Sequence, residues 1–555
     1  MADRRSATIA RWFGPAERPL LGWLTHPASG LGQSGVLVLP PVGYQYWSTH
    51  RTLRVLAERL AERGQTVLRL DYDGTGDSSG DQWAQERLEA WRRSAQAGAD
   101  ELRRLGCREL VVVGARLGAT IGLLDGAELG ADRVVAWAPV LSGRQHVREV
   151  RLLSEALPVA MDRAPGDQVI TGVVMAGVIF RTETLADLAA IKLDTLTSVP
   201  AARILMIEGV EPGAAAVASR MTELGAAVDL LAIAEAREVL DQPAEYATPP
   251  RPLIDAICTW VGPSSGAAPI DRLDHKSASI SWRGSQLREE VVELGPRRLV
   301  GVATEPIGVS SGPIAVFLNS GSEPHVGPGR AWVEYARDLG ALGFASLRVD
   351  FRGWGESPDD GFAPGRPYDA HGEEDTISII HAITQRYERP VVLVGLCAGA
   401  WIGLRVALRE RVAGVIALNP QLYWREGDPV EATMVETRLR RTASRRREEL
   451  GKRFGVWSLL DLIGHRPWAA TWLDRLSAGD AEILILFAEG DEGIGYLEQR
   501  LTRRWRMANA SGRIRVNQLP DIDHSMHRAW LRGAVLRELH EQLRRLDTTD
   551  RQTRR

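Results

Sequence analysis

Short runs of consecutive apolar residues alternate with longer stretches of helical periodicity along most of the chain. In the second half, Ile314–Leu318, Ala345–Val349 and Val391–Val394 are continuous apolar runs, which are typical of strands buried on both faces of a sheet. Between these runs, Trp332–Gly343 and Asp375–Tyr387 place their apolar residues at helical spacing. The pattern predicts an α/β protein with a mostly parallel sheet flanked by helices.

The same pattern occurs twice at a nearly constant separation. Five segments of the first half resemble five of the second, and the offset between paired residues stays between 278 and 281. The first residues of the pairs are Gly35 and Pro313, Thr66 and Ala345, Leu110 and Val391, Ala138 and Asn419, and Ile204 and Ile485. Such constancy indicates two copies of one domain. We expect domains over residues 1–262 and 285–545, a linker over 263–284 and a polar tail over 546–555.

Each predicted domain carries an insertion. Residues 424–480 are predicted to form a helical lid on the second domain, and residues 142–200 are their counterpart in the first. The longest apolar stretch of the chain, Val169–Phe180, lies in the first insertion and has twelve residues. Because a membrane span needs about 20 residues, we expect a buried helix or a lid helix there.

Composition and charge exclude several classes of protein. The 555 residues are 44% hydrophobic and 25% charged, which is ordinary for a globular protein. The net charge of −3 creates no strong field for nucleic acid. Three scattered cysteines are too few for a disulfide framework or a zinc site. We therefore expect a cytoplasmic protein without a targeting segment, a membrane span, a metal or a cofactor.

The segment Gly395–Gly399 carries the most specific chemistry. It has the pattern G-x-nucleophile-x-G and stands between a predicted strand and a predicted helix, where it forms a nucleophile elbow. The central residue is Cys397, whose thiolate would gain from the positive end of the following helix. The pattern by itself is weak, and its position between strand and helix makes it strong.

A base and an orienting acid are expected later in the chain. Asp491 follows the predicted strand Ile483–Phe487, and His524 follows the strand Ile514–Val516, so both lie beyond strand carboxyl ends. His524 would accept the Cys397 proton, and Asp491 would hold the imidazole. A lone loop histidine is usually a solvated surface group and a lone Asp a turn former, and His527 competes with His524. The order along the chain favours the triad.

Backbone N–H groups should complete the site. One is that of Ala398, and others come from the loop after Leu318, where Gly321 and Ser322 lie. His325 either lines the pocket or belongs to the loop, and we favour the loop. Further side chains that could line the pocket are those of Trp354 and Trp424.

These motifs resemble those of the α/β-hydrolase fold. Asp350–Ser357 is similar to the D-x-R-G-x-G-x-S stretch of that family, and Leu39–Gly43 with Leu70–Ser78 resembles the serine-aminopeptidase-like and exosortase-associated hydrolase branch. The resemblance implies two tandem α/β-hydrolase domains with helical lids. A cysteine nucleophile departs from the usual serine and resembles dienelactone hydrolases and polyhydroxyalkanoate synthases.

The first copy lacks all three catalytic side chains. Its elbow carries Arg116, the position of the acid is Val210, and the segment Val228–Leu240 contains no histidine. We expect this copy to be inactive. Arg116 could bind an anion at a helix N-terminus, although we favour its pairing with an acidic residue such as Glu208.

The resulting hypothesis is an acyltransferase of a biosynthetic pathway, for natural products or polysaccharides, which uses an acyl-Cys397 intermediate. The acyl donor would be a small molecule, CoA or an acyl carrier protein. One alternative is an esterase or thioesterase, and another is a non-catalytic scaffold. We expect tight contact between the two domains and no nucleic-acid partner. Homodimerisation is left open.

Overall fold

The chain forms two compact units, Met1–Val291 and Val292–Arg555. This computed structural model describes residues 6–156, 170–209, 212–264, 275–422 and 468–553, apart from positions 243, 245, 309, 311, 322, 360–366, 492, 496, 498–507 and 511. Trp424 and Val210, together with most of the predicted lid over 424–480, lie outside the described residues. Over the described ranges, no helix has both the length and the apolar character needed to cross a lipid bilayer.

The first unit contains an eight-stranded sheet with the order β1-β2-β4-β3-β5-β6-β10-β11. Strands β1 and β2 pair antiparallel, β2 pairs antiparallel with β4, and the pairs from β4 to β11 are parallel. The strands are β1 Ser6–Phe13, β2 Leu20–Pro27, β3 Ser34–Leu39, β4 Thr66–Leu70, β5 Glu109–Ala115, β6 Arg133–Trp137, β10 Arg203–Ile207 and β11 Ala227–Leu231. The helices are α1 Gln45–Ala61, α2 Arg87–Arg104, α3 Leu117–Leu129, α6 Ala214–Glu223, α7 Ala234–Asp241 and α8 Arg251–Val261.

The insertion of the first unit is only partly helical. It contains helices α4 Gly143–Leu152 and α5 Thr182–Ala189, and a three-stranded antiparallel sheet of β7 Glu155–Ala156, β8 Gly172–Met175 and β9 Val178–Arg181. The expected helix over Val169–Phe180 is therefore wrong where the structure describes it. Ala176 and Gly177 both have positive φ, 48° and 79°, which is the two-residue turn that matches the twist of a hairpin. The surrounding β-branched residues suit the paired strands.

The second sheet has nine strands in the order β12-β13-β14-β16-β15-β17-β18-β19-β20. From β16 to β20 neighbouring strands are parallel. The strands are β12 Ser277–Trp282, β13 Ser285–Leu294, β14 Leu299–Pro306, β15 Ile314–Phe317, β16 Ser346–Val349, β17 Val391–Leu396, β18 Gly414–Leu418, β19 Glu482–Ala488 and β20 Ile514–Leu519. The helices are α9 Ala331–Ala341, α10 Ala370–Tyr387, α11 Ala398–Val406, α12 Trp468–Ala478 and α13 Arg532–Thr553. Strand β12 lies within the segment expected to be a linker.

Each of the two large sheets is covered on both faces, which confirms the predicted fold class. In the second unit, one face of the strands packs with Ile379 of α10 and Trp401 of α11, and the other face packs with Trp332 of α9 and Leu539 of α13. Because β15, β17, β18, β19 and β20 are parallel, their carboxyl ends meet at one edge. The predicted nucleophile, acid and histidine all follow strands that end at this edge.

Candidate active site

Cys397 stands on a sharp turn between β17 and α11. Its backbone has φ 55° and ψ −109°, a conformation that non-glycine residues adopt only where the surroundings impose it. Gly395 and Gly399 make this turn feasible, because a Cβ on Gly395 would lie 2.2 Å from the carbonyl carbon of Gly399, and one on Gly399 would lie 2.6 Å from the carbonyl oxygen of Asn319. The close packing places the partly exposed Cys397 at the N-terminus of α11.

His524 and Asp491 form a hydrogen-bonded pair. His524 Nδ1 lies 2.6 Å from Asp491 Oδ2, and the carboxylate is largely buried. Burial alone lowers the pKa of His524, but the Asp491 hydrogen bond and the hydrogen bonding and charge of Cys397 outweigh burial and raise this pKa to about 10. The site therefore favours an imidazolium at His524, facing Cys397. His527, the competing candidate, donates its backbone N–H to Asp523.

Ala398 and Gly321 line one cavity, and the described residues that line it include neither Cys397 nor His524. The Ala398 N–H belongs to the first turn of α11, whose N–H groups have no acceptor within the helix. Gly321 has φ 57°, and no atom of the described residues lies within 4 Å of where its Cβ would be, so its loop can approach a bound ligand closely. Ser322, the third predicted oxyanion residue, is outside the described residues.

This cavity has an empty volume of about 330 Å³ and combines apolar walls with charged groups. Trp354 lines it together with Phe351 and Ile402. The polar lining comes from Asp369, Asp375, Arg352 and His371. Arg352 donates to Asp375, and His371 Nδ1 lies 2.7 Å from Asp369 Oδ1, so these side chains are paired by hydrogen bonds.

His325 lies elsewhere, buried beneath the loop that carries Gly321. Its Nδ1 is 2.6 Å from Asp350 Oδ2, its backbone N–H donates to the same carboxylate, and Asn319 donates to it as well. Burial raises the pKa of Asp350, but the charge and hydrogen bond of His325, together with further hydrogen bonds, lower it by more. The net shift of this pKa is therefore downward. His325 is not among the cavity-lining side chains, and it fastens the loop after β15 to Asp350.

Three polar residues at the site were not anticipated. The Tyr368 hydroxyl oxygen lies 3.2 Å from Cys397 Sγ and donates to Gln421 Oε1 at 2.9 Å. Gln421 Nε2 in turn lies 3.4 Å from His524 Nε2. Asn419 donates to the carbonyl of His524 at 2.8 Å and accepts from the backbone N–H of Ala488 at 2.7 Å. Only Asn419 left a signal in the sequence, since the repeat aligns it with an alanine.

In the first unit, Arg116 occupies an elbow of the same shape. Its φ is 50° and its ψ is −120°, and its side chain is almost completely buried. Arg116 pairs with Glu149 of α4 at 2.9 Å, whereas the sequence suggested Glu208 as an example of an acidic partner. Hydrogen bonding with His146 and the charge of Arg116 lower the pKa of Glu149, although partial burial opposes them. The side chain thus fills the position that Cys397 holds in the second unit.

Parts of the chain are similar to known proteins. Residues 315–545 match the model of the alpha/beta hydrolase family. Similar solved structures include Est1E from Butyrivibrio proteoclasticus with ferulic acid bound, at 17% identity over 45% of this chain and 97% of that chain, with a TM-score of 0.35. Dienelactone hydrolase from Anabaena variabilis is 13% identical over 48% of this chain and 97% of its own, with a TM-score of 0.30.

Brefeldin A esterase, a bacterial homologue of human hormone sensitive lipase, is 16% identical over 47% of this chain and 78% of its own, with a TM-score of 0.32. A comparison with curated proteins gave no match. The family match covers the unit with the elbow, the histidine and the acid, and the sheets have the mostly parallel order described above. The chain therefore has an α/β-hydrolase fold.

Proposed function

We propose that the second unit is an acyltransferase that uses Cys397 as a covalent nucleophile on an ester or thioester, in a biosynthetic pathway. The observation that carries the proposal is the pair of His524 and Asp491 at 2.6 Å, with the pKa of His524 raised to about 10 partly by Cys397 itself. A base that is held by a buried carboxylate and interacts with a thiol on a strained elbow is the arrangement that nucleophilic acyl transfer requires.

In the proposed first step, the His524 imidazolium already holds the proton that came from Cys397, and the thiolate sulfur attacks the acyl carbonyl carbon. The carbonyl oxygen becomes an oxyanion that the N–H groups of Ala398 and the Gly321 loop can stabilise. When the tetrahedral adduct collapses, the bond to the leaving alcohol or thiol breaks, and the leaving group takes the proton from His524. The enzyme then carries a thioester on Cys397.

In the second step, His524 removes a proton from an acceptor amine, alcohol or thiol, which attacks the thioester carbonyl. Collapse of the second adduct releases the acylated acceptor and returns the proton to the Cys397 sulfur. A thioester suits this exchange because transfer between thioesters is close to thermoneutral. CoA and an acyl carrier protein are the thioester donors that we propose.

A second candidate is hydrolysis of the same acyl-enzyme, with water as the acceptor. The match of residues 315–545 to the alpha/beta hydrolase family favours this alternative. Adding an amine or alcohol acceptor separates the two, because a transferase diverts product from the free acid to the acylated acceptor, whereas a hydrolase yields free acid only.

We propose further that the two units are tandem copies and that the first one is not catalytic. In support, Arg116 and Cys397 stand on elbows of nearly identical φ and ψ. The guanidinium of Arg116 cannot act as a nucleophile and is bound to Glu149. The first unit then contributes structure or a binding surface, and only the second unit, through Cys397, catalyses the reaction.

The test is intact-protein mass spectrometry after exposure to a panel of acyl thioesters and activated esters. We expect one acyl adduct on the wild type and none on Cys397→Ala, with a rate at least about 100-fold lower for His524→Ala because the general base is lost. Cys107 and Cys258 are internal controls, since burial raises the pKa of each thiol to about 11 and keeps them protonated. An unmodified wild type whose Cys397 is also inert to iodoacetamide would leave the scaffold alternative instead.

A further inference from the structure

A two-residue bridge joins the nucleophile to the base on the side away from Asp491. Tyr368 contacts the Cys397 sulfur at 3.2 Å, Gln421 contacts Tyr368 at 2.9 Å, and Gln421 contacts His524 Nε2 at 3.4 Å. The bridge therefore reaches the two atoms between which the catalytic proton moves in the proposed function, on which this inference rests. Neither residue belongs to the elbow, the acid, the histidine or the oxyanion loop.

The bridge can satisfy both protonation states of the site. With a neutral pair, Cys397 donates to the Tyr368 oxygen, Tyr368 donates to the Gln421 carbonyl oxygen, and the amide NH₂ donates to His524 Nε2. With a thiolate and an imidazolium, every bond reverses, provided that the amide turns over and exchanges its oxygen and nitrogen. His524 then donates to Gln421, Gln421 to Tyr368, and Tyr368 to the sulfur.

Packing fixes the Tyr368 ring in this position. The residue is buried, and its ring meets the ring of Trp401 edge to face, with centroids 5.6 Å apart and an interplanar angle of 89°. The Trp401 ring also contacts that of Trp472, with centroids 5.8 Å apart. Asp369, the next residue, accepts from the His371 backbone N–H and caps α10. A hydroxyl that is held by a rigid ring loses little entropy when it binds the sulfur.

We propose that Tyr368 is a catalytic residue that donates a hydrogen bond to the Cys397 thiolate, and that Gln421 is a positioning residue that aligns Tyr368 with His524. A hydrogen bond to a charged acceptor stabilises it more than a neutral one does, so the Tyr368 hydroxyl favours the reactive anion over the thiol. On acylation the sulfur loses its charge, and the Tyr368 hydroxyl can donate to Gln421 Oε1 again, which lies 2.9 Å away. The bridge thus stabilises the Cys397 thiolate but does not stabilise the acyl-Cys397 thioester.

The experiment measures the alkylation rate of Cys397 by iodoacetamide as a function of pH, with intact-mass detection, in the full-length protein. For Tyr368→Phe, we expect the midpoint of the pH–rate profile to rise by about one unit and the rate near neutrality to fall about tenfold, as the loss of one charge-assisted hydrogen bond predicts. Phenylalanine keeps the ring that packs on Trp401. Tyr387→Phe is the matched control, since Tyr387 is the last residue of α10, beside Arg386, whereas Tyr368 lies just before the start of that helix.

Gln421→Leu provides a second variant that leaves the tyrosine in place. We expect a shift in the same direction that is smaller, and the double variant with Tyr368→Phe should add little, because both changes break one network. Identical profiles for wild type, Tyr368→Phe and Gln421→Leu would overturn the inference. So would a rate that falls equally at every pH with a lower melting temperature, since that result marks a packing role.

The two proposals fail in different ways. If wild-type Cys397 reacts no faster than Cys107 and Cys258, the proposed acyl-Cys397 chemistry is wrong and the bridge has no catalytic meaning. If wild-type Cys397 reacts rapidly and forms acyl adducts while Tyr368→Phe matches it at every pH, only the role of Tyr368 is wrong.

Discussion

The two elbows have nearly the same backbone and opposite chemistry. Arg116 and Cys397 differ by 5° in φ (50° and 55°) and by 11° in ψ (−120° and −109°). In both turns the neighbouring glycines are indispensable, since a Cβ on Gly118 would lie 2.2 Å from the Leu39 carbonyl oxygen. Packing of glycines against the neighbouring strand therefore preserves the turn whether or not its central residue can react.

The loops that follow β4 and β16 also share a backbone arrangement while their side chains differ. Asp71 accepts from the Asp77 backbone N–H, and Asp350 accepts from that of Glu356 in the same way. The environment differs, however: burial and the charge of Asp77 raise the pKa of Asp71, whereas His325 reverses the effect of burial at Asp350. The backbone framework is shared, and the neighbouring side chains shift the pKa values of the two carboxyl groups in opposite directions.

The largest effect is expected at the acid, where the second unit has Asp491 and the first has Val210. The variant Asp491→Asn removes this carboxylate. We expect the acylation rate to fall at least about 100-fold, because an amide neither stabilises the imidazolium nor fixes the tautomer of His524. Glu489→Gln, which changes an exposed carboxylate in the same turn, is the matched control and should keep the wild-type rate. Wild-type activity in Asp491→Asn would remove Asp491 from the proposed triad. The measurement is single-turnover acylation by mass spectrometry.

The same variant has a pH signature in stability. The pKa of folded His524 is raised to about 10, above its unfolded value of about 6.5, so this group stabilises the folded state fully below pH 6.5 and the contribution disappears as pH rises through 10. The difference in melting temperature between wild type and Asp491→Asn should therefore be largest near pH 6 and shrink towards pH 10. A difference that is constant over this range would contradict the assigned imidazolium.

A smaller difference concerns Asn419 and Ala138, which have φ values of 45° and 47°. Asn419→Ala gives the second unit the residue of the first and removes the bonds to the His524 carbonyl and the Ala488 N–H. We expect acylation to slow about tenfold, as His524 is less firmly held. Asn517→Ala, which removes an amide that donates to Glu538 on the surface side, is the control. An unchanged rate for Asn419→Ala would show that the backbone alone positions the histidine.

Much of the framework could be predicted from sequence because it depends on local patterns. The apolar run at 314–318 corresponds to the strand Ile314–Phe317, and the nucleophile, acid and histidine each follow a strand of one parallel set. The hairpin of β8 and β9 was missed because an apolar run does not show where it turns, and only Ala176 and Gly177 mark the reversal. Sequence periodicity distinguishes a buried helix from a buried strand poorly in such short runs.

The side-chain network around the nucleophile could not be predicted for a different reason. Tyr368 reaches Cys397 across 29 positions of the chain, and Gln421 reaches His524 across 103, so no local spacing links either pair. The partner of Arg116 was likewise set by the path of α4, which brings Glu149 to the elbow. Such contacts follow from tertiary packing, and the residue types alone do not predict them.

The smallest expected effect is in the first unit, where Glu149→Gln removes the charge beside Arg116. We expect the free energy of unfolding of that unit to fall by about 1 kcal/mol at neutral pH, a modest value because the Glu149 side chain is 35% exposed and partly screened. Acylation of Cys397 should be unaffected. Glu223→Gln, at the exposed pair with Arg220, is the matched control and should change stability by less than about 0.5 kcal/mol.

The pH dependence of this effect has the opposite sign to that of His524. Hydrogen bonding with His146 and the charge of Arg116 lower the pKa of folded Glu149 below its unfolded value, so its contribution is present above about pH 4.5 and is lost as pH falls through the lower folded pKa. Melting curves of wild type and Glu149→Gln should therefore converge in acid. If Glu149→Gln instead slowed acylation while the fold persisted, Arg116 would take part in the function of the second unit, and the division between an inert copy and an active one would be wrong.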